Sequence, residues 1–383
     1  MYMEYRLEEL FDLQMGKTPS RNKPEFWDSR DNKWISISDL SKCGKYINET
    51  KEYISNKAVS ESGISQIPEN TVIMSFKLSI GKVAITSEPL YSNEAIMSFK
   101  DKHVVDIIPE YLYYLLLSKD WSNGTNKAVM GATLNKATLS KIKINVHEVA
   151  KQREIVKVLD KANNIVSCYK KQLQKLDELI KDRFVEMFGL PGTDKFGWGT
   201  ELLGDVCHIN PKRILDSRTI GSMQVSFVPM QAVSEHGEID VSDTRKYDDV
   251  KSGFTYFTEN DVLFAKITPC MENGKGAVAR GLKNGIGFGS TEFHVIRPIS
   301  GKTNPYWVYT LSSLANFRKD AADNMTGSAG QRRVPAKFLE KYVIAVPPIE
   351  LQQEFEQFVF QVNKSKFVTL KMLELMEKND CVS

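Results

Sequence analysis

The sequence predicts an α+β molecule written twice: two tandem domains of mixed strand and helix, separated and closed by long helices that pair as an antiparallel coiled coil about a pseudo-twofold axis. Three observations carry this reading. Residues 146–159 (Val-His-Glu-Val-Ala-Lys-Gln-Arg-Glu-Ile-Val-Lys-Val-Leu) align with 346–359 (Val-Pro-Pro-Ile-Glu-Leu-Gln-Gln-Glu-Phe-Glu-Gln-Phe-Val) at an offset of 200, which sets Gln152 against Gln352, Glu154 against Glu354 and Ile155 against Phe355. Further back, Gly131 faces Gly327, Pro109-Glu-Tyr-Leu-Tyr faces Pro305-Tyr-Trp-Val-Tyr, and Glu69-Asn70-Thr-Val faces Glu259-Asn260-Asp-Val, so the repeat extends through both halves. Its length far exceeds the roughly 20–50 residues of a solenoid unit and implies duplication of a whole domain. The third observation is a heptad pattern in the segment that follows each copy.

Taken in order, the first domain covers residues 1–147. Thr71-Val-Ile-Met-Ser-Phe and Gly81-Lys-Val-Ala-Ile-Thr read as strands, because β-branched and aromatic residues lie between turn formers, and Pro109 to Leu117 reads as a short helix. A spacer helix follows over 148–188. Ile155, Ala162, Tyr169, Leu176 and Arg183 recur every seven residues, with Leu159, Val166, Leu173, Ile180 and Met187 four later, and Gly189-Leu-Pro-Gly marks the stop. At 1.5 Å per residue this rod is about 60 Å long. The second domain covers 189–347, with strands at Asp261-Val-Leu-Phe-Ala-Lys and Phe293-His-Val-Ile-Arg and a helix from Pro305 to Phe317. A C-terminal helix over 348–383 repeats the seam through Phe355, Val359, Val362, Lys366, Thr369, Leu373 and Met376, weakened in the middle by Lys366 and Thr369. Antiparallel pairing would leave one domain at each end of the rod.

With 383 residues, 42% hydrophobic and 26% charged, the chain is long enough for two cores and has an ordinary soluble composition, which excludes disordered and fibrous classes. No apolar run approaches the roughly 20 residues of a membrane span, and Met1-Tyr-Met-Glu-Tyr-Arg is not a signal sequence, so a cytoplasmic location is expected and no membrane contact. Five widely spaced cysteines fit neither a disulfide framework nor a zinc knuckle, and Cys207-His208 has no second ligand pair, so no metal site is expected. Basic and acidic residues number 19 and 18 over 1–146, 9 and 7 over 147–188, 19 and 17 over 189–347, and 4 and 6 over 348–383. Such balance leaves a local basic stripe open without demanding one.

No catalytic constellation emerges. Gly16-Lys17-Thr18, Gly81-Lys82 and Gly274-Lys275 resemble the end of a phosphate loop, but Phe11, Phe76 and Pro269 stand where its first glycine is required. Asn210-Pro211 lacks the aromatic continuation and the glycine-rich cofactor loop of an amino-methyltransferase, and Glu49-Thr50-Lys51 lacks the Pro-Asp that precedes it in nucleases.

Read together, Gly16-Lys-Thr-Pro-Ser-Arg-Asn-Lys-Pro-Glu-Phe-Trp27, Trp34-Ile-Ser-Ile-Ser-Asp-Leu40, Ile80-Gly-Lys-Val-Ala-Ile85, Gly289-Ser-Thr-Glu-Phe-His-Val-Ile-Arg-Pro298, Gly327-Ser-Ala-Gly-Gln-Arg-Arg-Val-Pro335 and Val346-Pro-Pro-Ile-Glu-Leu-Gln-Gln353 resemble the specificity subunits of type I restriction–modification systems over nearly the whole chain. The resemblance implies two target-recognition domains and a non-enzymatic subunit that reads double-stranded DNA. It also implies two methyltransferase subunits as partners, with restriction subunits recruited to them; S-adenosylmethionine, ATP and magnesium would sit on those partners and no cofactor on this chain. The C-terminal helix, ending near Lys378, is about ten residues shorter than the spacer, which departs from a fully matched pair.

Two domains joined by a rod would read a bipartite target with an unread gap, made asymmetric by diverged loops: Lys127–Lys136 reads Lys-Ala-Val-Met-Gly-Ala-Thr-Leu-Asn-Lys, and Asn324–Arg333 reads Asn-Met-Thr-Gly-Ser-Ala-Gly-Gln-Arg-Arg. Lys127, Asn135 and Lys136 in the first domain and Gln331, Arg332 and Arg333 in the second are expected to face DNA, since glutamine suits an adenine edge and arginine a guanine or phosphate. A second strip comprises Lys77, Ser79 and Lys82, matched by Lys266, Thr268 and Lys275; Lys17, Thr18 and Ser20 complete the set. Two other classes compete: a free-standing DNA methyltransferase or nuclease, which S-adenosylmethionine binding by the isolated chain would favour, and a coiled-coil scaffold with binding heads, which indifference to DNA would favour.

Overall fold

The computed structural model describes residues 2–77, 79–121, 126–128, 131–213, 222–328 and 330–379, with the backbone alone at 126–128, 131–133 and 377–379. The chain forms two compact units, residues 2–166 and 167–379, with the boundary inside the spacer helix Val149–Phe188.

In the first unit a terminal ribbon pairs Tyr2–Arg6 with Lys143–His147, bringing the ends of the domain together. Between them lies a five-stranded sheet ordered Phe11–Met15, Ile96–Asp101, Val72–Ser75, Val83–Thr86 and Tyr46–Ile47, and a three-stranded sheet ordered Glu52–Ile54, Asn32–Ile35, Tyr91–Ser92. Val72–Ser75 and Val83–Thr86 are buried throughout, which is why they read as continuous rather than alternating apolar runs. Helix Pro109–Leu117 starts on proline, as a first-turn proline can, and packs Tyr111 and Tyr114 against Val156 of the spacer helix.

The second unit repeats this plan. Thr200–Leu202 pairs with Val343–Ala345, one sheet runs Cys207–Ile209, Phe293–Pro298, Val262–Ala265, Gly276–Val278, and another runs Thr244–Lys246, Gln224–Val228, Ile286–Gly289, Thr255–Thr258. The helix predicted from Pro305 to Phe317 is two helices, Pro305–Ser313 and Ala315–Asp323, because buried Leu314 adopts extended backbone and turns the chain. Asn70 and Asn260, aligned in the repeat, both hold left-handed φ (55° and 70°), the turn geometry that asparagine tolerates.

The repeat is tightest at its two glutamines, both fully buried. Gln152 accepts from the Ile108 N–H and donates to the carbonyls of Asp106 and His147. Gln352 accepts from the Asn304 N–H and donates to the carbonyls of Lys302 and Pro347. Each amide thereby ties the loop before the short helix to the start of the long one.

The C-terminal helix Ile349–Asn379 has 31 residues against 40 in the spacer. Within the second unit the two run antiparallel: Arg183 meets Glu354 (3.7 Å), Phe184 stacks edge-on to Phe355 (5.5 Å) and Asp177 meets Lys366 (2.6 Å). Phe355, Val359, Val362, Lys366, Thr369 and Leu373 are all buried, at the predicted seam spacing. On the spacer, Val166, Leu173, Leu176 and Ile180 are half-buried at their heptad positions, while Ile155 and Leu159 pack on the Tyr111–Tyr114–Val156 cluster of their own domain. Lys366 does not leave a gap in the seam: its ammonium donates to Asp177 (2.6 Å) and to the His236 carbonyl (3.4 Å), and the His236 ring Nδ1 lies 2.7 Å from the other Asp177 oxygen.

Candidate nucleic-acid interface

In the second unit two strips that the sequence offers separately form one surface. The chain leaving strand Val262–Ala265 pairs with the chain entering Val334: the Val334 N–H donates to Lys266 O (2.9 Å), the Thr268 N–H donates to Arg332 O (3.0 Å), and Ile267 bridges Arg333. The Arg333 guanidinium donates from Nε and NH2 to the Glu292 carboxylate (2.9 and 2.8 Å), and that hydrogen bond holds Glu292 below the ordinary carboxylate range. Arg332 is exposed, 3.8 Å from Glu272, and the Thr268 hydroxyl donates to the same glutamate (3.0 Å). Lys275 is half-buried with its ammonium on the Met230 carbonyl (3.2 Å), and Lys266 is half-buried beside Glu292. Gln331 and Arg332 are exposed on this surface, as is Glu272.

The first unit builds the same junction. The Leu134 N–H donates to Phe76 O (3.1 Å), joining the Lys77–Lys82 turn to the segment that carries Asn135 and Lys136. Lys77 is half-buried with its ammonium 5.2 Å over the Phe76 ring, whereas Ser79, Lys82 and Lys136 are exposed. Asn135 spends its side-chain oxygen on capping helix Lys136–Ser140, accepting from the Thr138 N–H (2.7 Å). Lys127 lies in strand Asn126–Ala128, paired with Gly131–Thr133, and its side chain falls outside the described residues. Lys17 donates to Ser62 O (2.5 Å), the Thr18 hydroxyl donates to Glu94, and the Ser20 carbonyl accepts the Trp27 indole N–H (3.1 Å). Glu94, lowered first by Thr18 and further by the charges of Lys77 and Arg21, stands among those three as Glu292 stands between Arg333 and Lys266. Each glutamate stands in the turn before the strand that neighbours the junction.

A family model described as type I restriction modification DNA specificity domain matches residues 1–178 and again 196–373. The chain belongs to this family. It is 42% identical over 160 residues to the type I restriction enzyme EcoAI specificity subunit of Escherichia coli, covering 41% of this chain; that match spans 26% of the relative's length. With the MjaIX specificity subunit of Methanocaldococcus jannaschii it shares 23% identity over 398 aligned residues, covering 97% of this chain and 89% of that one. A solved structure described as the structural basis of complex assembly and conformational transition of the type I R-M system has the same fold, with a TM-score of 0.58 at 15% identity over 99% of this chain and 95% of that one.

The two matched segments of the specificity-domain family correspond to the two copies of the sheet plan, each followed by helix. Sequence reasoning passed over two exposed arginines that lie over aromatic rings. Arg21 lies 3.6 Å over the Trp27 ring and holds Glu52 with both terminal guanidinium nitrogens, and Arg245 lies 3.4 Å over the Phe227 ring. A basic residue in the Gly16–Trp27 motif was the available signal for the first; the second has no signal without knowing that strands Gln224–Val228 and Thr244–Lys246 pair. Among the described residues no group of three or more His, Cys, Asp or Glu is placed to hold a metal ion, and no helix is long and apolar enough to cross a membrane.

Proposed function

We propose that this chain is the DNA-reading subunit of a type I restriction–modification complex, reading a bipartite, asymmetric double-stranded target. One observation carries the reading: the same junction of two backbone strips is built twice, at Phe76–Leu134 and Lys266–Val334, but is dressed with different polar and basic side chains. Identical placement with different donors is what two different half-sites require, because phosphate contacts position a domain and edge contacts specify its bases. The paired helices, with dense mixed charge on their outer faces, are the docking hub for two methyltransferase subunits, to which restriction subunits can be added. S-adenosylmethionine, ATP and magnesium belong to those partners, the chain itself is non-catalytic, and the complex works in the cytoplasm.

Methylation-aware sequencing of DNA from cells expressing the chain with its methyltransferase subunit tests this. The expected result is adenine methylation at two short, unlike sequences separated by a gap of fixed length. A contiguous palindromic motif, or no methylation dependent on this chain, overturns the reading. S-adenosylmethionine bound by the isolated chain would move the activity onto this chain and favour the free-standing methyltransferase.

A further inference from the structure

The two units differ at one packed position, and the difference leaves a cavity. In the first unit Tyr114 lays its ring by Val156; its hydroxyl donates to Asp160 (2.5 Å) and accepts from the Asn163 amide (3.1 Å). At the same places in the second repeat stand Thr310, Phe360 and Asn363. Phe360 packs on Tyr306 instead, with ring centroids 5.0 Å apart. Beside the threonine lies a space of about 500 Å³, walled by Tyr309, Thr310, Val359, Asn363, Lys366 and Gly237. This is ample for one substituted ring, since a dry cavity of roughly 150 Å³ already holds benzene.

The polar groups around the space are incomplete. The Thr310 hydroxyl is buried and lacks a hydrogen-bond partner, and neither the Tyr309 hydroxyl nor the Asn363 amide has one among the described residues. Burial raises the Tyr309 phenol well above its usual range, so it keeps its proton and remains a donor. Gly237 is required beside that hydroxyl: its φ is +86°, and a Cβ there would stand 2.4 Å from the oxygen. The charges of the wall balance, Asp177, Glu235, Glu238 and Glu272 standing against Lys181, Arg280, Arg318 and Lys366. Lys366 is paired with Asp177 and Arg280 with Glu356, and Arg318 donates from its two terminal nitrogens to the carbonyls of Met271 and Gly274 (3.1 and 3.3 Å) under the Phe264 ring (4.4 Å), its Nε alone lacking a partner. The space therefore calls for a neutral occupant with an apolar body and one hydroxyl.

We propose that this cavity binds a small neutral phenol, its ring taking the place that Tyr114 fills in the first unit, its oxygen accepting from the Tyr309 hydroxyl and its O–H donating to the Asn363 amide oxygen. The ligand would touch the 234–238 loop, helix Pro305–Ser313 and both long helices, so occupancy fixes their mutual packing within the second unit. The proposal stands apart from DNA reading and does not depend on it.

The test is a fluorine NMR titration of the full chain with 4-fluorophenol, and with 4-fluorotoluene as the probe lacking the hydroxyl. Saturable binding of the phenol is expected, with the toluene weaker by about threefold to tenfold for the lost hydrogen bonds. Thr310→Tyr, which restores the side chain of the first unit, should abolish binding of both probes and raise the melting temperature. Should that variant fail to fold, Asn363→Leu and Tyr309→Phe decide: each should erase the preference for the phenol while the toluene still binds. No saturable signal up to about 5 mM, equal affinity for the two probes, or binding that survives in folded Thr310→Tyr would overturn the assignment.

Discussion

Glu292 decides what Arg333 can do. A guanidinium already held by a carboxylate through two hydrogen bonds is a poor reader of DNA, so under the proposed function Gln331 and Arg332 form the contacting pair and Arg333 sets their loop. Replacing Glu292 by Gln should release Arg333 and steepen the salt dependence of DNA binding by about one unit, whereas Arg332→Ala should flatten it by about one, both measured by fluorescence anisotropy across a salt series. The same pair gives a pH signature. Because the folded-state value of Glu292 is lowered, its contribution is complete above its ordinary 4.5 and fades as pH falls through the lowered value. The stability difference between the native chain and Glu292→Gln, followed by denaturant titration, should therefore shrink as pH drops below 4.5 and stay constant above it. Gln352→Leu should cost about 3 kcal/mol or more, since it strands one N–H and two carbonyls in the interior, and urea unfolding reads this directly. Of these residues the sequence disclosed types and loops but not partners. Arg333 and Glu292 are 41 apart and Thr18 and Glu94 are 76 apart, and Asn135 fits a base edge as well as it fits the helix cap that claims it.

The helices were the most legible elements, because period 3.5 is written along the chain itself: Phe355, Val359, Val362 and Leu373 are buried where the heptad put them. Lys366 looked like a flaw because its partner sits on another helix, at Asp177, and charge complementarity between distant segments leaves no local mark. Pairing of this kind is asymmetric in energy. Asp177→Ala leaves the buried ammonium with only a carbonyl and should cost about 3 kcal/mol, while Lys366→Met leaves the carboxylate its contact with His236 and should cost little, a contrast that thermal or denaturant unfolding resolves. Leu173→Asp combined with Leu176→Asp places two charges on the half-buried seam and should abolish association with the methyltransferase subunit in size-exclusion chromatography. A normal-sized, active complex from that double variant would exclude the seam as the support of the hub. Strands were legible where they are buried on both faces, as at Val72–Ser75 and Val262–Ala265; the second sheet of each unit, made of short pieces with polar neighbours, was not.

For the whole molecule, duplication was the strongest message of the sequence, and the repeated sheet order and hydrogen bonds give it physical content. Two copies with separate contact strips predict separable losses. Lys77→Ala with Lys82→Ala should weaken binding to DNA carrying only the first half-site, and Lys266→Ala with Lys275→Ala should weaken only the second. Equal loss on both half-sites would point to non-specific charge, and no loss on either would leave Lys77, Lys266 and Lys275 as packing side chains and Lys82 as a solvated turn. The buried glutamines add something about heredity. Gln152 and Gln352 grip only main-chain atoms of the segments they hold, so the grip is blind to the side chains displayed elsewhere on the domain. Loops elsewhere on the domain can change without disturbing this grip, whereas the Tyr114 contacts with Asp160 and Asn163 tie the helix to particular side chains. Change in the displayed loops is thereby uncoupled from the two glutamine joints that hold each domain to its helix.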